Sequence, residues 1–532
     1  MSYPSRRSNV LGLNGAVATS QPLAAMAGMR MLTRGGNAAD AAIAMAAALN
    51  VVEPMSTGMG GDAFALVYWA ADKRVYALNA SGRAPALANL DAIRARGYSE
   101  SMPARGPLTV TVPGAPAGWA DLLSRFGTLG LDTVLQPAID YAQEGFPVSE
   151  VIARGWSASG DLLRADPEAA RCYLPGGRAP RLGQRFRNPD LAASLHALAT
   201  DGAEAFYRGA IAQAIDATMR RSGGLLRAED LAAHSSTWET PIHCDYGGHR
   251  VWECPPNGQG LATLLALNAL QGFDLAEMKF GSPDATHLQI EAIKLAMADA
   301  AEYVADPAQA DIPLEGLLSE AYARSRRDSI RLDRSIDPPA HGVLPTSHDT
   351  VYLCATDAEG NAVSFINSLY MGFGSGIVAE GTGICLQNRG ALFSLDPEHR
   401  NGIAPNKRPY HTIIPAMVTK DDALALCYGV MGGFMQPQGQ VQVLCNLLDH
   451  GMKPQAALDA PRFLYDVAGR GPTHVETAMP QITVEALRAR GQRLRVHDDA
   501  GYGGGQVIQV DADSGAYIAG SEPRNDGCAM AW

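Results

Sequence analysis

Thr350 stands at a junction where its hydroxyl could act as a nucleophile. Residues 332–347 are polar and rich in proline, a composition typical of a mobile linker. The linker ends at Asp349, and strand-forming residues begin at Thr350. A threonine hydroxyl is a weak nucleophile that needs an adjacent base. By itself the junction favours a plainer interpretation, a loop that runs into a strand, because threonine is common in strands.

The usual signatures of cofactor and metal enzymes are missing from the sequence. It contains no HExxH, GxxxxGK[ST] or GxSxG motif, and the glycines at 58, 60 and 61 do not fit GxGxxG. Its 8 cysteines are spread singly without a CxxC pair, so neither a zinc site nor a redox pair is indicated. We expect reduced, buried thiols, no metal and no organic cofactor.

Length and charge restrict the class of protein further. With 532 residues, of which 47% are hydrophobic, the chain can bury a large core. Its net charge of −12 argues against a nucleic-acid partner, because phosphate binding needs a basic surface. No run of about 18 apolar residues predicts a membrane span, and no apolar stretch follows Arg6 and Arg7 as in a secretory signal. We therefore expect a cytoplasmic protein without a membrane partner.

Helices and strands alternate along the chain in a way that would position these groups. The pattern predicts helices over 36–50, 131–143 and 287–304, and hairpins over 63–78 and 351–366. Further predicted strands are 377–378, 413–418, 424–430, 494–496, 506–510 and 516–518, and further predicted helices are 439–451 and 454–460. Strands in both halves, with helices to cover them, indicate stacked sheets flanked by helices, although spacing alone does not fix the topology.

The run from Asp349 to Ser364 resembles the start of the small subunit of gamma-glutamyltransferases. In that family the threonine opens a strand, an aspartate (here Asp357) follows seven residues later, and an acid-Gly-Asn-Ala-Val turn closes the hairpin (here 359–363). Other motifs of the family occur in the same order, at 35–42, 52–54, 58–61, 112–114, 291–294, 306–307, 373–377, 405–409, 432–433, 460–463 and 523–527. The resemblance therefore covers nearly the whole chain.

The resemblance implies a fold and a maturation step. The fold class is α+β, a four-layer αββα sandwich of the N-terminal-nucleophile hydrolase type. Cleavage between Asp349 and Thr350 would give a large subunit, 1–349 with its linker at about 332–349, and a small subunit, 350–532. The two subunits of one precursor would interleave in one fold, and further association of the heterodimer is left open.

The resemblance also implies catalytic roles. Cleavage exposes the α-amine of Thr350, which has a pKa near ~8 and can take the proton of the same residue's hydroxyl. Ser368 matches the family's helper hydroxyl, and the Gly432–Gly433 pair matches the backbone donors that stabilise the oxyanion. A solvated serine at a strand end and an ordinary glycine turn are the plainer interpretations of these positions.

Several positions that hold the glutamyl group in the family differ here. The family's carboxylate-binding arginine matches Ser81, with Arg83 displaced by two positions, and its asparagine matches Tyr370. Arg389 stands at a glutamine position and Leu392 at the aspartate that binds the α-amine. His411 and Thr412 replace a pair of serines. The catalytic set is thus kept, whereas the glutamyl contacts are mostly lost.

These changes predict a small anionic amide, such as oxamate, as the substrate. Without an acid at Leu392 a buried ammonium would have no counter-charge, whereas Arg389 can bind a carboxylate with two donors. The predicted substrate-binding residues are Arg389, Tyr370, His411, Thr412 and Arg83. Alternatively, Arg389 only pairs with an acid such as Glu380.

Three other functions stay open from the sequence. One is a glutathione hydrolase or gamma-glutamyl transpeptidase whose glutamyl contacts have moved. Another is an amidase like the cephalosporin acylases, which share the chemistry. The third is a binding protein that keeps the fold and is never cleaved.

Overall fold

The computed structural model describes residues 7–336, 349–468 and 471–532. Most of the predicted linker, 337–348, lies outside the described residues. In chain order, the strands are β1 (Val10–Gly12), β2 (Ala16–Thr19), β3 (Asp62–Trp69), β4 (Arg74–Ala80), β5 (Phe146–Pro147), β6 (Arg185–Phe186), β7 (Thr237–Glu239), β8 (Ile242–Tyr246), β9 (His249–Glu253), β10 (Asp349–Thr356), β11 (Ala362–Tyr370), β12 (Val378–Ala379), β13 (Ile384–Cys385), β14 (Ala416–Lys420), β15 (Ala423–Met431), β16 (Phe463–Leu464), β17 (Thr473–Val475), β18 (Leu494–Val496), β19 (Gly504–Val510), β20 (Tyr517–Ser521) and β21 (Cys528–Ala531).

Helices fill most of the intervals between the strands. They are α1 (Pro22–Thr33), α2 (Ala38–Val52), α3 (Leu90–Arg94), α4 (Ala115–Phe126), α5 (Leu131–Glu144), α6 (Glu150–Ala158), α7 (Gly160–Arg164), α8 (Pro167–Tyr173), α9 (Pro189–Asp201), α10 (Ala203–Tyr207), α11 (Ala210–Ser222), α12 (Ala228–Ala232), α13 (Gly260–Leu270), α14 (Pro283–Tyr303), α15 (Leu314–Leu317), α16 (Glu320–Arg327), α17 (Met435–Leu448), α18 (Pro454–Asp459) and α19 (Gln481–Ala489). Within the described ranges, none of them is both long and apolar enough to cross a membrane.

Two seven-stranded sheets organise the described residues. One has the order β1-β20-β19-β15-β14-β9-β8, and the other the order β21-β2-β10-β11-β3-β4-β7. The pairs along both sheets are antiparallel. Each sheet contains strands from both sides of the Asp349–Thr350 bond, so the two predicted subunits would share both sheets. The cleavage that would separate them stays a prediction.

The hydrophobic core has three layers, which confirms the αββα arrangement. Side chains alternate between the two faces of a strand, and β10 is an example. Tyr352 and Cys354 pack between the sheets, against Met417 of the other sheet. Val351 and Leu353 point the opposite way, into a cluster with α1, α2, α4 and α5. The outer face of the other sheet packs on α13, α14 and α17.

Helix α2 lies beneath the strand that carries Thr350. Its alanine-rich sequence is buried throughout, because small side chains let it pack closely in the layer beside the sheet. Asn37 and Asp40 form a capping box at its start. The amide of Ala38 donates to the Asp357 carboxylate at 2.9 Å, and this contact ties the helix to the β10–β11 turn. The helix ends at Val52, and its C-cap Glu53 lines the same cavity as Thr350.

Most predicted elements are present with shifted ends. The two predicted hairpins are β3–β4 and β10–β11, and both extend further at their open end than the sequence indicated. The sequence prediction missed β2 and β21, at opposite ends of the chain, because both are short and gain their stability from pairing with distant strands. Strand β2 pairs directly with β10 and completes the surroundings of Thr350.

Candidate active site

A β-bulge brings Thr350 and Ser368 together at one end of the central hairpin. The register shifts between Asp349, which lies opposite Tyr370, and Val351, which lies opposite Asn367. Two residues of β11 therefore face Thr350 alone, and bulges of this kind redirect side chains. The hydroxyl oxygens of Thr350 and Ser368 lie 3.1 Å apart, and both residues are buried.

Ser368 also contacts two nitrogen donors. Ser368 Oγ accepts from the Tyr370 amide at 2.8 Å and from Arg389 Nη2 at 3.2 Å. Either hydroxyl can donate across the contact between Ser368 and Thr350. These contacts hold the Ser368 hydroxyl beside the oxygen of Thr350.

The glycines at 60 and 61 allow the segment before β3 to approach β11 and β13 closely. A Cβ atom on Gly61 would lie 2.2 Å from the carbonyl oxygen of Ser368, and one on Gly60 would lie 1.9 Å from that of Cys385. Both distances are impossible for real atoms, so only glycine fits. Tyr370 has φ of +82°, a conformation rare for a bulky side chain, and this backbone strain lies two residues from Ser368.

Arg389 is a fully buried cation next to the two hydroxyls. Its Nη1 donates to Thr412 Oγ1 at 2.6 Å, and its guanidinium carbon lies 4.6 Å from the centre of the Tyr370 ring. Its Nε has no hydrogen-bond partner among the described residues. Burial lowers the pKa of Arg389 to about 10, and the charge of Asp62 partly opposes that shift. The arginine therefore stays charged at neutral pH and could hold an anion.

Asp62 and His411 form the polar layer behind Arg389. His411 Nε2 lies 3.0 Å from Asp62 Oδ2, and both side chains are fully buried. The Ile413 amide donates to His411 Nδ1 at 3.4 Å, so Nε2 carries the hydrogen. Burial, followed by the charge of Arg389, lowers the pKa of His411 to about 3. His411 is therefore neutral at physiological pH, and both of its ring nitrogens already have partners.

The Asp62 carboxylate is ionised despite its burial. Its Oδ1 accepts from the amides of Gly82 and Gly114 at 2.8 and 3.2 Å and from Gln387 Nε2 at 2.9 Å. Burial opposes ionisation, but the contact with His411 and the charge of Arg389 keep the pKa of Asp62 below its usual value. Asp62 is thus the counter-charge of the Arg389 cluster.

Two further expectations concern the acid that pairs with Arg389 and the substrate-binding role of Arg83. Glu380 pairs with Arg221 at the surface at 2.8 Å and is not the acid beside Arg389. The acid whose charge acts on Arg389 is Asp62. Arg83 is half-buried, and its charge contributes to the lowered pKa values of Arg408 and His234. A role for Arg83 in substrate binding stays a prediction.

The Gly432–Gly433 turn lies between β15 and the N-terminus of α17. Both glycines have positive φ, +128° and +58°, which side chains rarely adopt. Met435 N donates to the carbonyl of Gly432 at 2.9 Å, and Gln259 Nε2 donates to that of Gly433 at 2.9 Å. These contacts fix the turn directly before a 14-residue helix, whose N-terminal dipole favours negative charge. The position suits an oxyanion.

A cavity of about 360 Å³ opens beside Thr350. Thr350 and Gly432 form part of its wall. None of the five predicted substrate-binding residues is among the described residues that line it. Arg389 instead contacts Ser368, which contacts Thr350. Side chains that sequence reasoning did not single out take part instead. They are Ser20, Glu53, Asp498, Asp499, Arg524 and Asp526.

Little in the sequence marks these additional residues. Glu53 and the segment around Arg524 lie in family motifs, but a motif does not say which way a side chain points. Asp62 directly follows the glycine run and precedes the predicted hairpin at 63–78. This position was the one sequence signal that could have marked Asp62 as a site residue. Asp498 and Asp499 lie in a polar loop almost 150 residues from Thr350 in sequence, and only the fold brings them to the cavity.

Comparison with known proteins identifies relatives over the whole chain. The model of the gamma-glutamyltranspeptidase family matches residues 24–532. The chain is 39% identical to the glutathione hydrolase-like YwrD proenzyme of Bacillus subtilis, over 98% of this chain and 99% of the relative. It is 34% identical to the oxamate amidohydrolase proenzyme of Klebsiella pneumoniae, over 99% and 100%.

A solved structure has the same fold. The crystal structure of a cephalosporin acylase from Bacillus halodurans superposes with a TM-score of 0.94 and is 47% identical, covering 100% of this chain and 98% of the other. The resemblance inferred from the motifs is therefore confirmed.

Proposed function

The chain belongs to the gamma-glutamyltranspeptidase family and is an amidohydrolase of the N-terminal-nucleophile type, and we propose that Thr350 is its nucleophile. One observation carries this proposal. The Thr350 hydroxyl lies 3.1 Å from that of Ser368 in the wall of a cavity that also contains Gly432. The proposed nucleophile and a glycine of the oxyanion turn thus line one cavity, and Ser368 contacts the nucleophile from behind the cavity wall.

The first reaction is cleavage of the chain's own backbone. The Thr350 hydroxyl attacks the carbonyl carbon of Asp349, and its proton passes to the Thr350 nitrogen as the C–N bond breaks. The resulting ester between Asp349 and the Thr350 oxygen is opened by water. The products are a carboxylate at Asp349 and a free α-amine on Thr350.

Amide hydrolysis follows on the same residue. The α-amine takes the hydroxyl proton while the oxygen attacks the substrate carbonyl. The Gly432–Gly433 turn stabilises the oxyanion, and Ser368 donates to the attacking oxygen. The α-ammonium then returns the proton to the leaving amine, and an acyl ester remains on Thr350. Water, deprotonated by the α-amine, hydrolyses the ester and completes the cycle.

A carboxylate on the acyl half of the substrate would bind at Arg389. In the uncut chain, Asp349 lies opposite Tyr370, whose ring contacts the Arg389 guanidinium. Cleavage gives Asp349 a free end, so it can move away and give substrate access to this side of Thr350. The buried cation with a free Nε then offers a charge-assisted contact. An oxamate-like amide meets this requirement, and a relative is named for that activity.

A second candidate function is hydrolysis of a larger amide. The cavity volume of about 360 Å³ exceeds the needs of oxamate, and the solved structure described above is that of a cephalosporin acylase. Hydrolysis of glutathione has less support from the site. Leu392, at the family's amine-binding position, packs in the hydrophobic cluster with Tyr370 and Tyr410. The cytoplasmic location and any association of heterodimers stay predictions.

Mass spectrometry of the purified protein tests the central proposal. We expect a new N-terminus at Thr350 and two chains of about 37 and about 19 kDa, in proportion to length from 56.1 kDa. Thr350→Ala should remain one chain and release no ammonia from oxamate. Ser347→Ala, three residues before, is the matched control and should be cleaved normally. Cleavage of Thr350→Ala at the same bond would exclude the mechanism.

A further inference from the structure

More acidic than basic side chains line the cavity beside Thr350. Four carboxylates line it, from Glu53, Asp498, Asp499 and Asp526. The carboxylate of Asp498 accepts from both the amide and the hydroxyl of Thr477, and these contacts keep the pKa of Asp498 below its usual value. Asp526 accepts from the Ser149 hydroxyl at 2.5 Å. Neither partner is a cation, so neither contact neutralises its carboxylate.

Arg524 is the cation among the described lining residues, and its charge is already balanced. Its guanidinium binds Glu476 through two nitrogens at 2.7 and 2.6 Å and Glu522 at 2.8 Å. Arg462 pairs with the other oxygen of Glu522 at 2.9 Å. The two arginines and two glutamates therefore form a neutral group. The charges of His497 and Arg524 contribute to the lowered pKa of Asp498, but the ion pairs of Arg524 are with Glu476 and Glu522 and not with a carboxylate that lines the cavity.

The position of Thr350 indicates that this charge acts on a ligand. The cavity would receive substrate whatever its charge, because the proposed nucleophile and Gly432 form its wall. Arg389 contacts the nucleophile from another side, through Ser368. An acyl carboxylate held by Arg389 would place the scissile carbonyl at Thr350. The amine half of the amide would then extend into the cavity, where Asp498 and Asp499 are exposed to solvent.

We infer that the acidic cavity is the leaving-group site and selects amides whose amine half carries a positive charge. This inference rests on the proposed function, and it adds the chemistry of the other half of the substrate. The preferred substrate has a carboxylate on the acyl side and a cation on the amine side. A leaving group that carries a carboxylate, as the peptide half of glutathione does, is repelled.

The chemistry of the acylation step agrees with this assignment. When the C–N bond breaks, the leaving nitrogen receives the proton that the Thr350 amine took from the hydroxyl, and it departs as a neutral amine. In water it takes a second proton and becomes an ammonium ion. Carboxylates around the departing group favour the cationic form and, in a narrow cleft, concentrate cations from solution. The acyl group on Thr350 is not altered by this preference.

Three N-substituted oxamates that differ only in the leaving group test the inference. They carry 2-aminoethyl, 2-hydroxyethyl and carboxymethyl groups on nitrogen, which are cationic, neutral and anionic. We expect kcat/KM of the cleaved wild-type protein to fall at least tenfold at each step in that order. The steps should shrink at high salt, because exposed charges are screened over about 8 Å at physiological ionic strength.

Variants localise the effect to the cavity. Asp499→Asn and Asp526→Asn together should reduce the preference for the cationic over the anionic substrate by at least tenfold. Asp513→Asn is the matched control, because Asp513 is an exposed aspartate in the β19–β20 turn and does not line the cavity. Its preference should equal that of wild type.

A titration with 1,3-diaminopropane separates this inference from the proposed function. The diamine should bind the cleaved protein, and the double variant should lose at least tenfold in affinity. If no oxamate is hydrolysed but the diamine binds and the variant weakens it, the acyl assignment fails and the cationic site stands. Equal kcat/KM for the three substrates, or no diamine binding that depends on Asp499 and Asp526, overturns the inference.

Discussion

Ser368 Oγ lies 3.1 Å from Thr350 Oγ1 because a bulge in β11 places two residues opposite one. Two residues hold Ser368 in this position. Gly61 permits close contact with the Ser368 carbonyl, and Arg389 donates to the Ser368 hydroxyl. Ser368 is therefore held beside Thr350, where the proposed mechanism needs a hydroxyl that can donate to the attacking oxygen.

Ser368→Ala should slow both self-cleavage and amide hydrolysis. The loss of one hydrogen bond to an oxygen that becomes charged corresponds to about 1.5–3 kcal/mol, or roughly 10- to 150-fold in kcat. Ser368→Thr keeps the hydroxyl and should keep most of the activity. Single-turnover acylation and a cleavage time course measure the two steps. Unchanged rates in Ser368→Ala would contradict the assigned donor role.

Arg389→Gln should raise KM for an anionic amide at least tenfold. Loss of one good charged contact corresponds to about 1.4 kcal/mol. Neutral amides of similar size should show a much smaller change, and this difference distinguishes a lost contact from a damaged fold. Arg221→Gln is a suitable control, because Arg221 pairs with Glu380 at the surface. If the mutant handles anionic and neutral amides as wild type does, Arg389 does not hold the acyl carboxylate.

Amide hydrolysis should increase with pH as the Thr350 α-amine loses its proton. An α-amine in water ordinarily has a pKa of ~8, and the buried positive charge of Arg389 disfavours a second cation nearby. The carboxylates that line the cavity act in the opposite direction, so we expect an apparent pKa for kcat/KM near ~8. The pKa should move upward in Arg389→Gln. A pH–rate profile with a neutral amide measures both values, and a downward or absent shift in the mutant would contradict the electrostatic coupling.

Acid should destabilise the fold through His411. The unfolded histidine takes a proton near pH 6.5, whereas the pKa of the folded residue is about 3. Between these values the unfolded state binds the extra proton, so stability falls as the pH falls, by up to about 1.4 kcal/mol per pH unit. Unfolding of the uncleaved Thr350→Ala chain between pH 6.5 and about 4 measures the slope. His411→Gln in that background should reduce the slope, and an unchanged slope would show that His411 titrates normally.

The sequence by itself determined the class of enzyme and the position proposed for its nucleophile. The run after Asp349, the glycines at 58, 60 and 61 and the Gly432–Gly433 pair are local patterns, because strand pairing and close approach demand particular residues at particular spacings. The central hairpin and the helices α2, α5, α14, α17 and α18 followed from periodicity for the same reason. The sequence also showed that Leu392 replaces the family's aspartate, which argues against a binding site for a glutamyl amine.

Tertiary structure alone decided what surrounds Thr350. Asp62 and His411 are 349 residues apart, yet their contact sets the charge state of the layer behind Arg389. The cavity takes its carboxylates from the end of α2 and from loops near the C-terminus, and no local pattern relates those segments. Such contacts depend on how two sheets stack and where a bulge shifts the register. Side-chain spacing along the chain carries no information about either, and the charge of the pocket could therefore be read only from the folded molecule.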